Sequence, residues 1–148
     1  HFGNLSLVSG ELDLNEGVPT GGSFLIDMNS MTVEDLKDGD GLLQHLKSDD
    51  FFSVESNPEA KFELTACEHN EGDNYQATGN LTIKGIAAPI SFPITLTTQE
   101  DGKIHVAGTA TVDRTTYDIK FRSGKFFSDL GDSLIKDEFT IELDLITV

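Results

Sequence analysis

The sequence predicts an all-β protein in which antiparallel strands form a sandwich or a closed barrel, interrupted by one short helix. Three observations carry this expectation. Apolar residues recur at every second position in almost every segment that contains them, polar turns with glycine separate those segments, and only one stretch places apolar residues at helical spacing. Such alternation gives each strand one wet and one dry face, which argues against a parallel sheet covered on both sides.

Taken in order, residues 2–14 read as a strand broken near Gly10, followed by the turn Asn15-Glu16-Gly17 and a strand over residues 23–29. Residues 33–47 change mode: Leu42, Leu43 and Leu46 lie at helical spacing, and Asp40 can cap the start. Strands follow over residues 60–68 and 74–84, separated by Asn70-Glu71-Gly72-Asp73. Ile90, Phe92, Ile94 and Leu96 then alternate with Ser91, Pro93, Thr95 and Thr97, and Glu100-Asp101-Gly102 leads into a strand over residues 103–114. A short strand is expected over residues 117–121. The last has Phe139, Ile141, Leu143 and Leu145 on its dry face. Hairpin-type turns make consecutive strands neighbours, and closure would remove exposed edges.

At 148 residues the chain is one domain, residues 1–148, with no repeat or linker. Ten Lys and Arg against 26 Asp and Glu give a net charge of −16, which repels phosphate backbones and anionic headgroups and disfavours a nucleic-acid platform. With 37% hydrophobic residues, the acid excess does not signal disorder. No run approaches the ~20 apolar residues of a membrane span. A single cysteine, Cys67, excludes an internal disulfide.

Two dry faces carry small residues at their centres. Ala77 and Gly79 lie between Tyr75 and Leu81–Ile83, and Gly108 and Ala110 lie between Val106 and Val112. Such positions leave room either for phenylalanines from opposite strands or for a foreign molecule. Motifs for chemistry are nearly absent. There is no nucleophile elbow, zinc-protease helix, phosphate loop or dinucleotide fingerprint. His45 and Asp49 read as a surface pair near a helix end, Cys67 and His69 lack further metal ligands, and the acidic stretches Asp38-Gly39-Asp40-Gly41 and Asp49-Asp50 lack the ligand pattern of a calcium loop. Arg114 reads as an ion pair or loop clamp.

Several pieces in order resemble one family. These are His45-Leu46-Lys47-Ser48-Asp49-Asp50-Phe51-Phe52, Pro58-Glu59-Ala60-Lys61-Phe62, Thr78-Gly79-Asn80-Leu81-Thr82-Ile83-Lys84-Gly85 and Val112-Asp113-Arg114-Thr115-Thr116-Tyr117-Asp118-Ile119. Ser123-Gly124-Lys125-Phe126-Phe127-Ser128-Asp129-Leu130-Gly131-Asp132 and Ile135-Lys136-Asp137-Glu138-Phe139 complete the set. Together they resemble the YceI-like polyisoprenoid-binding family over nearly the whole chain. The resemblance implies an extended antiparallel lipocalin-like barrel that holds a long-chain isoprenoid or fatty amphiphile. It also implies a bacterial, periplasmic or secreted protein, a possible homodimer, and no cofactor or defined reaction. Family members carry a further strand before the stretch that His1-Phe2-Gly3-Asn4-Leu5 resembles. Either the sequence begins downstream of that first strand, or the barrel has an open seam whose edge can pair with another chain.

The resulting expectation is a noncatalytic lipid-binding barrel lined by Phe24, Ile26, Met28, Phe62, Leu64, Leu81, Ile83, Phe92, Ile94, Val106, Phe139, Ile141 and Leu143. Ala77, Gly79, Gly108 and Ala110 would supply room, and Phe51, Phe52, Phe126 and Phe127 would stand at an opening. Two other readings compete. One is an isomerase or hydrolase acting on a lipid through Asp113 or His105. The other is an interaction module whose interior is filled by its own side chains.

Overall fold

A computed structural model describes residues 1–147. Seven strands form one antiparallel sheet in strict chain order: β1 (Ser6–Asn15), β2 (Val18–Asp27), β3 (Glu59–Glu71), β4 (Asn74–Ile83), β5 (Ile86–Thr98), β6 (Ile104–Asp113) and β7 (Glu138–Ile146). The sheet curls into a half-barrel; β1 and β7 stand at opposite ends of the strand order, and neither has a second partner among the described residues. The fold class read from the alternation is therefore correct, with an open seam in place of closure.

Turn chemistry sets the register. Glu16 and Gly17 both have positive φ between the paired Asn15 and Val18, and Lys84 and Gly85 do the same between Ile83 and Ile86. Two left-handed residues in a two-residue loop match the twist of the flanking strands. The Lys84–Gly85 turn escaped the sequence reading, which ran its strand through Lys84.

One end of the half-barrel is capped. The segment between β2 and β3 contains a 3₁₀ turn (Met28–Ser30) and α1 (Asp40–Lys47), and the segment between β6 and β7 contains 3₁₀ turns at Arg114–Tyr117 and Gly131–Ser133. Beneath them lies a cluster that includes Met28, Met31, Phe51, Val54, Leu81, Ile83, Val112, Tyr117 and Ile119. A second cluster, Leu64, Ala77, Phe92, Ile94, Leu96 and Ala110, fills the middle of the sheet, and Phe62 and Ile90 touch both.

Several expected boundaries shift for local reasons. Residues 2–4 are not part of β1; the Thr32 N–H donates to Asn4 O at 3.0 Å and the Glu34 N–H to Phe2 O at 2.9 Å, tying this segment to the cap. Gly10 stays paired with Phe24, and the irregularities fall at Leu7/Ser9 and Asp13/Leu14 instead. Met28 belongs to a 3₁₀ turn, because the Asp27 carboxylate accepts the Asn29 N–H at 3.0 Å and bends the chain. Asp40 lies inside the first turn of α1 and makes no side-chain cap; Gly39 occupies that position. The strand expected at 117–121 is absent. Asp113 caps the Arg114–Tyr117 turn, and Asp118 in the left-handed region ends it.

The small residues of the dry faces accommodate the protein's own atoms. A methyl group built on Gly79 would lie 2.2 Å from Glu63 O and 2.6 Å from the Phe62 ring. Gly10 and Gly22 similarly face the Phe24 ring. On this geometry Gly79→Ala forces the Phe62 ring and a β3 carbonyl to move, so the variant is expected to lose about 1–3 kcal/mol of stability in chemical denaturation while keeping its sheet signature in circular dichroism.

Candidate functional site

Most of the sequence-selected residues converge on the inner face of the sheet, with Met28, Phe51 and Phe52 in the cap over its end, and they divide by depth. Met28, Phe51, Leu64, Ala77, Gly79, Leu81, Ile83, Phe92, Ile94 and Ala110 are buried. Phe24, Ile26, Phe52, Phe62, Val106, Gly108, Phe139, Ile141 and Leu143 are half-buried. The gradient runs along the strand order: inward residues of the central strands β3–β5 are mostly buried, whereas those of β1, β2 and β7 are left partly uncovered. On β1 only Leu12 reaches even the half-buried class. Phe24 and Ile26 on one side and Phe139, Ile141 and Leu143 on the other therefore form a half-covered apolar flank, beside the exposed Leu7 and Leu14 of β1.

Phenylalanines occupy the middle of the concave face. The Phe24 and Phe62 rings stack with centroids 6.4 Å apart, and Phe62 meets Phe92 at 5.7 Å. Room expected at Gly79 is taken by Phe62, and that at Gly108 by Ile94 and the Pro93 carbonyl. Of the four aromatics expected at an opening, Phe51 is instead core: it packs edge-on against His45 at 4.9 Å and Phe121 at 5.5 Å, with the Arg114 guanidinium 5.8 Å from its ring centre. Phe52 meets Phe139 edge-on at 5.9 Å, joining the cap to β7. Phe126 and Phe127 are exposed, 50% and 51%.

A feature the sequence reading missed lies between β5 and β6. Their ladder runs only from Thr98–Ile104 to Ile94–Gly108; before Ile94, β5 pairs with β4 alone, and beyond Gly108, β6 pairs with β7 alone. Two clefts line this separation. One of about 480 Å³ is bounded by Pro93–Thr95, Ala107–Thr109 and Glu142–Asp144, and one of about 240 Å³ by Ala88–Ser91, Thr111–Asp113, Thr116 and Tyr117. Pro89 and Pro93 were the available signal, since proline has no N–H for a ladder and marks strand edges. Tyr117, just 1% exposed, has a hydroxyl with no hydrogen-bond partner in the protein. Leaving such a group unpaired costs about 1–3 kcal/mol; burial also raises its pKa, so it stays protonated at neutral pH.

Ionisable groups near the interior are structural. Asp113 accepts from the Thr115 N–H at 2.9 Å, the Thr115 hydroxyl at 2.6 Å and Lys125 Nζ at 2.6 Å. Those donors, Lys125 foremost, hold its carboxyl at about 2, too acidic for a general base at neutral pH. His105 bonds Asp144 at 2.6 Å, on the side of β6 facing away from Val106 and Ala110. His45 pairs with Asp50 at 3.0 Å, not with Asp49, which accepts the Ser53 hydroxyl. A bulge between Leu64 and Ala66 turns Cys67 toward the central cluster, where burial raises its thiol pKa. No group of His, Cys, Asp or Glu that could hold a metal occurs among the described residues.

Comparison with known proteins agrees with this architecture. A family model described as YceI-like domain matches residues 1–147. A UPF0312 protein of Pseudomonas aeruginosa is 30% identical over 129 residues, covering 83% of this chain. A UPF0312 protein of Photorhabdus laumondii is 32% identical over 101 residues, 68% of this chain and 51% of the relative. The chain spans 65% of the length of the Pseudomonas relative. Among solved structures, Burkholderia cenocepacia BcnA is similar with a TM-score of 0.77 and 23% identity, over 95% of this chain and 83% of that one. The Campylobacter jejuni YceI protein gives 0.75 and 20%, over 99% and 83%. At these identities the structures report the fold.

The Asp113 environment has a pH consequence. Its carboxyl is depressed from the ordinary 3.8 to about 2 in the folded chain, so its ionised form is favoured by folding, and the associated stability is complete above about pH 4 and lost as pH falls towards 2. Asp113→Asn is therefore expected to be less stable than wild type at neutral pH and to show a shallower fall between pH 4 and 2. Thermal melts across that interval measure both.

Proposed function

This chain belongs to the YceI-like domain family, and from that premise we propose that it binds a long-chain isoprenoid or fatty amphiphile against the concave face of its half-barrel, as a carrier or store without a reaction of its own. The observation that carries the reading is the partly uncovered apolar flank of Phe24, Ile26, Phe139, Ile141 and Leu143 beside a packed centre. A hydrocarbon tail laid there would cover surface that the sheet leaves wet. A dozen methylenes at ~0.8 kcal/mol each contribute on the order of 10 kcal/mol before immobilisation costs, enough for a firm complex without a charged anchor.

Family membership also supports placing the protein in the periplasm or outside the cell, with a homodimer as the assembly that would cover the free edges of β1 and β7. Enzyme chemistry has little to work with: Asp113 is committed to Thr115 and Lys125, and His105 lies on the outer face. A filled-core interaction module is the second reading, favoured by the placement of Phe62 against Gly79.

The two separate in one measurement. Mass spectrometry of an organic extract of protein purified without denaturation is expected to reveal a stoichiometric long-chain lipid. An extract empty of lipid, from protein that also fails to take up a C18 fatty alcohol, favours the filled module.

A further inference from the structure

Three large apolar side chains of the β6–β7 connection stand in water: Phe126, Phe127 and Leu134, at 50%, 51% and 51% exposure. They form one patch. The Ile135 N–H donates to Arg122 O at 2.9 Å, laying residues 134–135 beside the turn at 123–127, and Leu134 reaches over Gly124, where an added methyl group would meet its Cδ1 at 3.0 Å. The turn is braced. The Phe126 and Phe127 N–H groups both donate to Ser123 O, the wholly buried Ser123 hydroxyl donates to Asp137, and Lys125 Nζ donates to Asp113. Two rings are thus held outward by a fixed backbone, at a standing cost in apolar hydration. Cations flank them: Lys120 Nζ lies 4.8 Å from the Phe126 ring centre, and the Arg122 guanidinium lies 5.0 Å from that of Phe121. Charge is also distributed unevenly. Arg114, Lys120, Arg122, Lys125 and Lys136 are half of the chain's ten basic residues and balance the five Asp of residues 113–137, so the whole net charge of −16 falls on the rest of the protein.

We propose that this turn docks the protein on the surface of a zwitterionic phospholipid bilayer, with Phe126, Phe127 and Leu134 entering the interface and Lys120 and Arg122 reaching the lipid phosphates. Apolar rings with long cationic side chains at their edge match the depth profile of a bilayer interface, where hydrocarbon, phosphate and water follow one another. The charge distribution selects the headgroup. An anionic surface repels the −16 carried by the rest of the protein, whereas a zwitterionic one meets a neutral patch. Asp118, which pairs with Lys120 at 3.3 Å, and Asp129 and Asp132 beyond the rings suit the ammonium groups of such headgroups. A protein partner fits less well, since three half-exposed side chains fall well short of the roughly 800 Å² per partner of a specific interface. The patch also lies at the cap end of the half-covered flank: Lys125 holds Asp113, which pairs with Glu138 in the ladder, one residue before Phe139. Docking needs no bound amphiphile and stands apart from the carrier reading.

The chain contains no tryptophan, so a single introduced indole reports its own position. Phe126→Trp places one on the patch, and Leu14→Trp places one at the opposite, hairpin end of the sheet, where Leu14 is 43% exposed. Each full-length protein is titrated with phosphatidylcholine vesicles whose acyl chains are brominated. Emission from Phe126→Trp is expected to move to shorter wavelength and to be quenched, while that from Leu14→Trp stays unchanged. Replacing a third of the lipid by phosphatidylglycerol should weaken the quenching. Absence of quenching, or equal quenching at the two positions, overturns the proposal, and so does quenching that requires phosphatidylglycerol. The native side chains are tested by flotation with unlabelled phosphatidylcholine vesicles. Phe126→Ser combined with Phe127→Ser should lower the bound fraction about tenfold, through loss of two apolar side chains from the interface, without lowering the melting temperature, because both rings are exposed. Undiminished flotation of that variant refutes the docking turn. Organic extracts of the purified protein report on the carrier reading separately, and a lipid-free extract leaves this docking test unaffected.

Discussion

The closed end of the half-barrel depends on one buried guanidinium. Arg114, 4% exposed, donates through Nε to Lys136 O, through Nη1 to Ile119 O and through Nη2 to Ile135 O, all within 3.0 Å, while its face approaches the Phe51 ring. Three carbonyls from both ends of the long β6–β7 connection thus converge on one planar fork, a geometry that lysine cannot reproduce. Asp137, 4.0 Å away, and Asp113, its chain neighbour, offset the charge against the cost of burial. Ser123, wholly buried, donates to Asp137 and adds a second tie across the same connection.

That clamp gives the cap its surface for packing. With the 114–137 connection held down, Phe121 and Phe51 enclose His45 of α1, at 4.8 and 4.9 Å, and the two long connections become one lid over the cap cluster. The molecule is consequently asymmetric: one end is sealed by irregular chain, and the other ends in hairpin turns. Along the sheet a second asymmetry appears, from a packed centre at β3–β5 to half-covered flanks at β2 and β7. The core between the half-covered flanks is occupied by the protein's own phenylalanines.

Much of this could be read from the chain. Alternation at Ile90, Phe92, Ile94 and Leu96 and again at Phe139, Ile141, Leu143 and Leu145 named the inward sets correctly, since a strand's period of two is a local property. Arg114 was legible as a clamp from its place after a strand end. Phe51 was not legible as core, nor Gly79 as a seat for Phe62, because each depends on a residue that arrives from a distant strand or loop. The bulge after Leu64 reverses which residues face inward and brings Cys67 to the interior; nothing in the local pattern announces it. Tyr117 was assigned to a strand because its turn is stabilised by Asp113 capping and by Arg114 contacts made some twenty residues away.

The sequence by itself determined the antiparallel strands, their order, most of their inward faces, the acidic surface and the absence of familiar catalytic motifs. These follow from side-chain periodicity, composition and turn residues, all of which act over a few positions. Tertiary structure alone decided how far the sheet closes, where β5 and β6 part, which small residues are filled, and which buried hydroxyl is left unpaired. Each of those outcomes is a competition for the same space or the same hydrogen bond among residues remote in the chain, and such a competition has no local signature.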